Sequence, residues 1–209
     1  MKDIQIKSSL KLIGGGGNSK VYECCIVDYA QEKMIIIKVG CNTKTNINNY
    51  HLVKSLKLPT LSFVDEWIYN NRPTLITEHL NINSEKLIYV SPNSVITELH
   101  RKINQLDTFG NKNEIIESLA ENFRYENKLN KINNLNEFID NAVSDLKRIS
   151  SAKIVIEYDS YFVGSRKDSS VSEINYKIAD FDNIYECKDC SIQKCFDTNK
   201  SEFERMIIE

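Results

Sequence analysis

A run of four glycines, Gly14 to Gly17, constrains the fold of this chain more than any other feature of its sequence. Glycine loses more conformational freedom on folding than any other residue, yet this 209-residue chain places four of its seven glycines side by side. The flanking segments LKLI and KVYECCIVDY alternate apolar and polar residues as strands do. The run is therefore either a slack linker or the tip of a hairpin whose backbone approaches a ligand, most often a phosphate.

Further strands and one helix are predicted in the first third of the chain. The β-branched segment KMIIIKVGC predicts a third strand that carries Lys38. Residues 46–58 have apolar side chains three apart, which indicates a helix that Pro59 ends. The segments LSFVDEWIY and RPTLITEHL predict two more strands, joined by a turn at Asn70 and Asn71.

Helical patterns dominate from Ser91 onward. Three amphipathic segments predict helices, namely 95–106, 114–123 and 135–149. Strand patterns return in KIVIEYDSYFVGS and INYKIADF, and residues 200–208 predict a short final helix. This order predicts an α+β fold in which a strand-rich part, 1–80, precedes a mostly helical part, 81–209, within one domain.

Composition and charge exclude several classes of function. The net charge of −2 implies no bulk attraction to nucleic acid or to an anionic membrane, and no basic or aromatic array is present. No apolar run approaches the length of about 18 residues that a membrane span needs. The N-terminal segment MKDIQIKSSL lacks the apolar centre of a signal peptide. We therefore expect a cytoplasmic protein with neither nucleic-acid nor membrane partners.

The cysteine pattern leaves one alternative open. Cys187, Cys190 and Cys195 form a C-x2-C-x4-C cluster, which supplies only three zinc ligands locally. In a cytoplasmic protein, free thiols are the default expectation. The cluster is therefore either an ordinary loop that carries cysteines or one part of a zinc site.

The glycine run and the lysine strand together match a known nucleotide-binding plan. Because the run lies between two predicted strands, the loops that join a strand through glycines to a helix are disfavoured. A glycine-rich hairpin over nucleotide phosphates, with a lysine on the next strand, fits instead. In this respect the sequence resembles the protein kinase domain. LIGGGGNSKVYE resembles its glycine-rich loop, IIIKV its lysine strand, LPTLSFVDEWIYNNRPTLITEHL the strands leading into its hinge, and INYKIADFDN the strand ending in its metal-binding DFG.

The resemblance implies a two-lobed fold that binds ATP and Mg2+ and transfers the γ-phosphate of ATP to Ser or Thr of a protein. Lys38 would hold the α- and β-phosphates, and Asp180 would ligate Mg2+. Glu78 and His79 would present backbone groups to the adenine at a hinge that includes Thr77. The other residues that the resemblance places around the nucleotide are Gly14, Gly15, Gly16, Gly17, Ser19 and Val21, with Ser19 replacing the family's third glycine.

The catalytic segment departs from the family's H-R-D-x-x-x-x-N pattern and leaves two alignments open. If residues 157–159 (EYD) stand for H-R-D, Asp159 is the catalytic base and the second metal ligand falls on Gly164. If the strand YFV directly follows the metal-binding Asn position, Ser160 takes that position and becomes the second metal ligand. In that case Glu157 or Asp159 must substitute as the base.

Two other departures bear on catalysis. An active kinase pairs its strand lysine with a Glu from the following helix, but here that position falls near Asn48 or Asn49. The DFG motif reads Asp180-Phe181-Asp182, and the 29 residues after Asp180 (209 − 180) are too few for the activation segment and peptide-docking helices of a full kinase.

The shortened plan resembles the compact kinases that some bacterial pathogens deliver into host cells as effectors, and also small viral kinase homologues. This resemblance implies a protein substrate or binding partner, host proteins included, and a cytoplasmic location that extends to the host cytoplasm. Two functions stay open at this point. One is a minimal ATP-dependent Ser/Thr kinase, and the other is a catalytically impaired pseudokinase that binds or regulates a protein.

Overall fold

The computed structural model describes residues 5–15, 19–28, 31–40, 42–83, 87–90, 134–166 and 174–208. The predicted helices over 95–106 and 114–123 lie outside the described residues, as do Gly16 and Gly17. The remaining residues form helices and antiparallel sheets in the α+β class that the sequence predicts.

An antiparallel sheet of six strands organises the first part of the chain. Its strands are β1 (Gln5–Ile6), β2 (Lys11–Gly15), β3 (Lys20–Asp28), β4 (Gln31–Val39), β5 (Val64–Tyr69) and β6 (Arg72–Glu78). The order is β1-β3-β4-β6-β5, and β2 pairs separately with β3. Two consecutive hairpins, β3–β4 and β5–β6, are therefore joined edge to edge through β4 and β6.

The glycine run begins inside a paired strand, so its described part is not a slack linker. Gly14 pairs with Val21 and Gly15 with Lys20 in the β2–β3 hairpin. A Cβ atom at Gly15 would lie 2.8 Å from the carbonyl oxygen of Ser19, so the close approach of the two backbones requires glycine there. The hairpin interpretation is the one that this pairing supports.

The helix α1 (Thr43–Ser55) begins three residues before the range that the sequence predicts. Its N-cap is Asn42, whose side chain accepts a hydrogen bond from the N–H of Thr45 at 3.4 Å. Tyr50 and Val53 are buried on its inner face. The chain leaves the helix through Lys57, which has a φ of 56°.

Short strands and three helices form the described remainder of the chain. The helices are α2 (Leu80–Asn83), α3 (Leu135–Ser151) and α4 (Ile192–Ile208). The strands are β7 (Leu87–Val90), β8 (Ile154–Ile156), β9 (Tyr161–Arg166), β10 (Ile174–Ile178) and β11 (Ile184–Glu186). They form one antiparallel sheet in the order β10-β9-β7 and one antiparallel pair, β11-β8. A 3-10 turn at Tyr158–Ser160 joins β8 to β9.

The main hydrophobic core joins α1, α3 and α4 to the short strands. At its centre the rings of Phe138, Tyr161, Tyr176 and Phe203 pack against one another, with most pairs edge to face. Phe181, which is fully buried, packs edge to face against Tyr50 of α1 with ring centroids 5.6 Å apart. This contact fixes the segment between β10 and β11 relative to the helix.

The cysteine cluster differs from the free thiols that we expect from a cytoplasmic chain. Cys187 and Cys190 form a disulfide, whereas Cys24, Cys25 and Cys195 are free thiols. Within the part of the chain that the structure describes, no group of three or more His, Cys, Asp or Glu side chains could hold a metal ion. The zinc alternative therefore has no support there. None of the helices in these described ranges is long and apolar enough to cross a membrane.

Asn199 of α4 joins the helix to β8 through buried hydrogen bonds. Its side-chain oxygen accepts from the N–H of Ile156 at 3.0 Å, and its side-chain nitrogen donates to the carbonyl oxygen of Ile154 at 2.7 Å. The same nitrogen donates to the carbonyl oxygen of Cys195 at 2.9 Å. This asparagine is fully buried, so no water replaces a lost partner.

We expect Asn199→Ala to lower the free energy of unfolding by about 3 kcal/mol, since it leaves a backbone donor and acceptor buried without this partner. Urea denaturation checks this value. The matched control is Asn48→Ala on the exposed face of α1, for which we expect a change within about 0.5 kcal/mol. Equal effects of the two substitutions would contradict the structural role of Asn199.

Candidate functional site

A cavity of about 280 Å³ lies between the six-stranded sheet and the segment that follows β10. Apolar side chains from both sides form most of its walls, namely Ile13, Val21, Ile36, Leu61, Leu75, Leu80, Phe162 and Ala179. The polar lining residues include two groups. Thr77, Glu78 and His79 lie at the end of β6, whereas Lys38 lies opposite Leu75, further back along that strand, and is joined there by Asn46 and Asp180. A mostly apolar pocket with a few convergent polar groups is typical of a small-molecule site.

Strand alternation places Lys38 in this cavity. On β4, Ile35 and Ile37 point into the core on one face of the sheet, so Ile36 and Lys38 point to the other. In the sheet register Lys38 lies directly opposite Val21 on β3 and Leu75 on β6. Opposed residues share a face of the sheet, and all three side chains line the cavity.

At the end of β6, Glu78 uses its carboxylate to fix the surrounding chain. It accepts from the N–H of Ser62 at 2.6 Å, hydrogen-bonds the Ser62 hydroxyl and pairs with the ammonium of Lys177 at 3.6 Å. The backbone N–H of Glu78 donates to the carbonyl oxygen of Phe63 at 3.4 Å. His79 follows, with its Nε2 4.0 Å from a carboxylate oxygen of Glu23. Both predicted hinge residues line the cavity, and their contact with an adenine stays a prediction.

The ammonium of Lys38 lies between two carboxylates. Its Nζ donates to Oδ1 and Oδ2 of Asp180 at 2.8 and 3.0 Å and also to Oδ2 of Asp182. The lysine side chain is 13% exposed, and the aspartate side chains are 36% and 35% exposed. Burial lowers the pKa of Lys38, but the two carboxylates outweigh this effect and hold the pKa above its ordinary value. Lys38 is therefore a fixed positive charge.

The residue of α1 that reaches this cluster is Asn46, so the expected position near Asn48 or Asn49 is wrong. Asn46 is fully buried and lines the cavity, and its Nδ2 donates to Oδ1 of Asp182 and, at 3.0 Å, to the carbonyl oxygen of Asn42. Its Oδ1 is buried and has no hydrogen-bond partner. Asn46 and Asn49 are three residues apart and share one face of α1, and the earlier of the two is the one whose side chain reaches Asp182.

The neighbouring Asn49 has a bracing role, and Asn48 is exposed. The Nδ2 of Asn49 donates to the carbonyl oxygen of Phe181 at 2.8 Å and to that of Ile184 at 3.1 Å. Together with the buried ring of Phe181, these bonds hold the backbone that carries Asp180 and Asp182.

The catalytic segment is short. Only residues 157–160 separate β8 from β9. Strand β9 begins at Tyr161, and the second alignment likewise starts a strand there, directly after the metal-binding position at Ser160. Gly164, the second metal ligand of the first alignment, lies within β9. Ser160, the metal ligand of the second, is fully buried, and its hydroxyl has no hydrogen-bond partner. The carbonyl oxygen of Ser160 accepts from the N–H groups of Ala179 and Asp180 at 2.9 and 3.3 Å.

The predicted base, Asp159, lies close enough to Asp180 and Lys38 for their charges to affect its pKa. It also binds Asn183, which follows Asp182 in the chain. Its Oδ2 accepts from the Nδ2 of Asn183 at 2.8 Å, while its Oδ1 is buried without a partner. Burial, followed by the charge of Asp180, raises the pKa of Asp159, although the Asn183 hydrogen bond opposes this. The pKa of Glu157 is raised by burial and by the charges of Asp159 and Glu202. A carboxylate with a raised pKa is a better proton acceptor than an ordinary one.

The raised pKa of Asp159 gives stability a defined pH dependence. The unfolded residue ionises near pH 3.9, roughly the ordinary aspartate value. Above that pH the folded chain still holds the proton, so folded protein binds more protons and stability falls as pH rises through this window. We expect Asp159→Asn to remove this contribution, so that the wild type loses stability relative to the variant between pH 4 and neutrality.

Urea unfolding at several pH values in this range measures the difference between the two proteins. Asp189→Asn, at an exposed loop position, serves as the control and should leave the pH profile of the wild type unchanged. A wild type that gains stability over Asp159→Asn with rising pH would contradict the raised pKa.

The other predicted site residues divide between the cavity and its surroundings. Val21 lines the cavity, Gly14 and Gly15 form the end of β2, and Ser19 contacts Gly15 across the hairpin. Asn46 is the site residue that the sequence reasoning missed. The available signal was a polar residue on the buried face of α1, four residues before Tyr50.

Comparison with known proteins adds little to this geometry. No protein-family model matches the chain, and no curated protein matches it. Among solved structures, the chain is similar to one of a kinase domain. That structure is the crystal structure of PF14_0431, kinase domain, with 11% sequence identity and a TM-score of 0.46. The alignment covers 89% of this chain and 54% of that one, so the chain spans about half the length of that domain. A match at this identity and TM-score carries no argument about activity.

Proposed function

We propose that this chain is a kinase-like protein of two lobes that binds ATP with Mg2+ and transfers the γ-phosphate to a Ser or Thr hydroxyl of a protein. One observation carries the proposal. The ammonium of Lys38 meets the carboxylate of Asp180 at one end of an apolar cavity, and β6 ends at the other. This arrangement offers a place for a planar base, a cation for phosphate oxygens and a carboxylate for a metal ion.

The apolar walls suit the base and ribose. Val21 and Leu75 from the sheet and Phe162 from β9 are among the apolar residues that line the cavity. The hairpin of β2 and β3 borders it through Ile13, directly before Gly14. The glycine run would cover the phosphates at this edge, since backbone without side chains can approach them closely.

The residues at the phosphate end fit a divalent cation. Mg2+ takes oxygen ligands, and Asp180 and Asp182 offer partly exposed carboxylates. The buried Oδ1 of Asn46, which has no hydrogen-bond partner, is a further oxygen at this end of the cavity. Asp180 would hold the ion, and Ser160 remains the proposed second ligand. When bound, Mg2+ neutralises charge on the phosphate oxygens.

In the proposed transfer, Asp159 accepts the proton of the protein hydroxyl. The hydroxyl oxygen forms a bond to the γ-phosphorus, and the bond from that phosphorus to the β–γ bridging oxygen breaks, leaving ADP. Lys38 binds the α- and β-phosphates and positions them during this step. The raised pKa of Asp159 supports its role as the base. The proposed acceptor is a cytoplasmic protein, including a host protein in the case of a delivered effector or a viral protein.

A second candidate is a pseudokinase that binds a protein partner without transferring phosphate. The observation that favours it is the length of the catalytic segment, four residues between β8 and β9, together with the complete burial of Ser160. A hydroxyl without solvent access reaches a metal ion only if the surrounding turn moves. Nucleotide binding and partner binding would then persist without transfer.

We expect Mg-ATP to raise the unfolding temperature of the protein. A ligand at 100 times its dissociation constant stabilises the folded state by about 2.7 kcal/mol. Lys38→Met and Asp180→Asn should each reduce this stabilisation and lower transfer of labelled phosphate at least about 100-fold, since each removes a charge that the transition state needs. Thermal-shift titration and autophosphorylation or lysate phosphorylation measure the two effects.

The matched control is Lys44→Met, at an exposed position of α1 outside the cavity, which should behave as the wild type. Transfer that survives both Lys38→Met and Asp180→Asn would overturn the proposed mechanism. If ATP stabilises the protein but no phosphate is transferred, the result would instead support the pseudokinase proposal. No stabilisation by ATP at any Mg2+ concentration would contradict nucleotide binding in both forms.

A further inference from the structure

Among the described residues, Lys38 has two carboxylate partners, Asp180 and Asp182, and the protein holds them by different means. Asp180 accepts a hydrogen bond from the backbone N–H of Asp182 at 3.2 Å and lies two residues after the end of β10. Asp182 accepts a side-chain hydrogen bond from Nδ2 of Asn46. The two carboxylates therefore differ in what fixes them, although both bind the same ammonium.

The anchor of Asp182 is itself rigid. Asn46 is fully buried, and the same Nδ2 that binds Asp182 also donates to the carbonyl oxygen of Asn42 at the start of α1. The carbonyl oxygen of Asn42 and the carboxylate of Asp182 can only accept hydrogen bonds, so the amide nitrogen of Asn46 must face them, and this determines the orientation of the side chain. A carboxylate at position 46 would instead meet Asp182 as a like charge. A neutral donor on α1 and a negative charge at position 182 are thus complementary.

A cation at Asp180 would change the balance around Lys38. An ammonium that is only 13% exposed needs a nearby negative charge, because burial without one is costly. A divalent ion on Asp180 competes with Lys38 for the same carboxylate oxygens. Asp182, held by Asn46, then remains beside the ammonium and keeps it charged and in position.

We propose that Asp182 is the residue that positions Lys38 for phosphate binding, that Asn46 positions Asp182, and that Asp180 is left for the cation. The carboxylate that the kinase resemblance places on the helix after the lysine strand is thus supplied by the segment after β10. This assignment rests on the proposed nucleotide site and goes beyond it, since it gives separate roles to the two aspartates.

The assignment predicts a selective loss in Asp182→Asn. Lys38 binds the phosphates and not the base, so we expect affinity for ATP in the presence of Mg2+ to fall at least 10-fold, while affinity for adenosine stays within twofold. A merely structural role of Asp182 would weaken both ligands alike. Titration calorimetry with ATP and with adenosine measures the two affinities, and the unfolding midpoint without ligand reports whether the variant folds.

A reciprocal exchange makes the test specific. Asn46→Asp alone removes the donor to Asp182 and sets a like charge against it, and it should also weaken ATP binding. In the double variant Asn46→Asp/Asp182→Asn the amide at position 182 can donate to the new carboxylate, which removes the contact between like charges, although the bond to the carbonyl oxygen of Asn42 stays lost. We therefore expect the double variant to bind ATP more tightly than Asn46→Asp alone. Tighter ATP binding by the double variant would also show that weak binding by a single variant does not come from poor folding alone. Asp189→Asn is the exposed control and should bind both ligands as the wild type does.

The outcomes separate the two proposals. Wild-type protein that binds ATP, with Asp182→Asn binding it equally well, overturns the positioning role and leaves the proposed function standing. Parallel loss of ATP and adenosine binding in Asp182→Asn, or a double variant that binds ATP no more tightly than Asn46→Asp, also overturns it. Wild-type protein that binds neither ATP nor adenosine overturns the proposed function and, with it, this assignment.

Discussion

The ion pair of Lys38 with Asp180 and Asp182 joins parts of the chain that lie 142 and 144 residues apart in sequence. It connects the central strand β4 of the six-stranded sheet to the segment between β10 and β11. A charge-assisted contact of this kind is strong only where both partners are held in place. Alternation along β4 fixes the lysine, so the arrangement of the site depends on how the aspartates are fixed.

The segment with the aspartates is held at several points along its backbone. Its beginning is bonded to the carbonyl oxygen of Ser160, and the N–H of Glu157 donates to the carbonyl oxygen of Asn183 near its end. Between these points the ring of Phe181 fills the core, and Asn49 bonds the carbonyl oxygens on either side of Asp182. A site on such a braced segment keeps its geometry better than one on an unsupported loop.

Sequence reasoning predicted the elements that follow strict periodicity. Alternation and β-branched residues placed β2 to β6 and the position of Lys38, and the run INYKIADF placed the strand before Asp180. It missed the role of Asn46, because Asn46 and Asn49 share one face of α1 and the sequence does not show which of them reaches Asp182. In a chain so rich in asparagine, the residue type alone carries little signal, and only burial and hydrogen bonds distinguish Asn46 from Asn48.

Other features depend on contacts that no local pattern encodes. The spacing of Cys187 and Cys190 is compatible with free thiols, a metal site or the disulfide that the structure contains. Likewise, the sequence letters around Ser160 left two alignments open, because a shortened loop changes which residue occupies a given position. The burial of Ser160 follows from its carbonyl bonds to the segment after β10, which comes 19 residues later in the chain.

The balance of charge at the site bears on the order in which ligands bind. Asp180 and Asp182 carry two negative charges against the single ammonium of Lys38, and Asp180 also raises the pKa of the nearby Asp159. A cluster with excess negative charge repels a polyphosphate, and the low dielectric of a partly buried site strengthens this repulsion. In the proposed nucleotide site, a divalent cation on Asp180 would reverse the sign of this charge, and Asp182 would stay beside Lys38. We therefore expect the proposed site, whose aspartates keep the lysine charged, to favour a nucleotide that arrives with its cation over one that arrives alone.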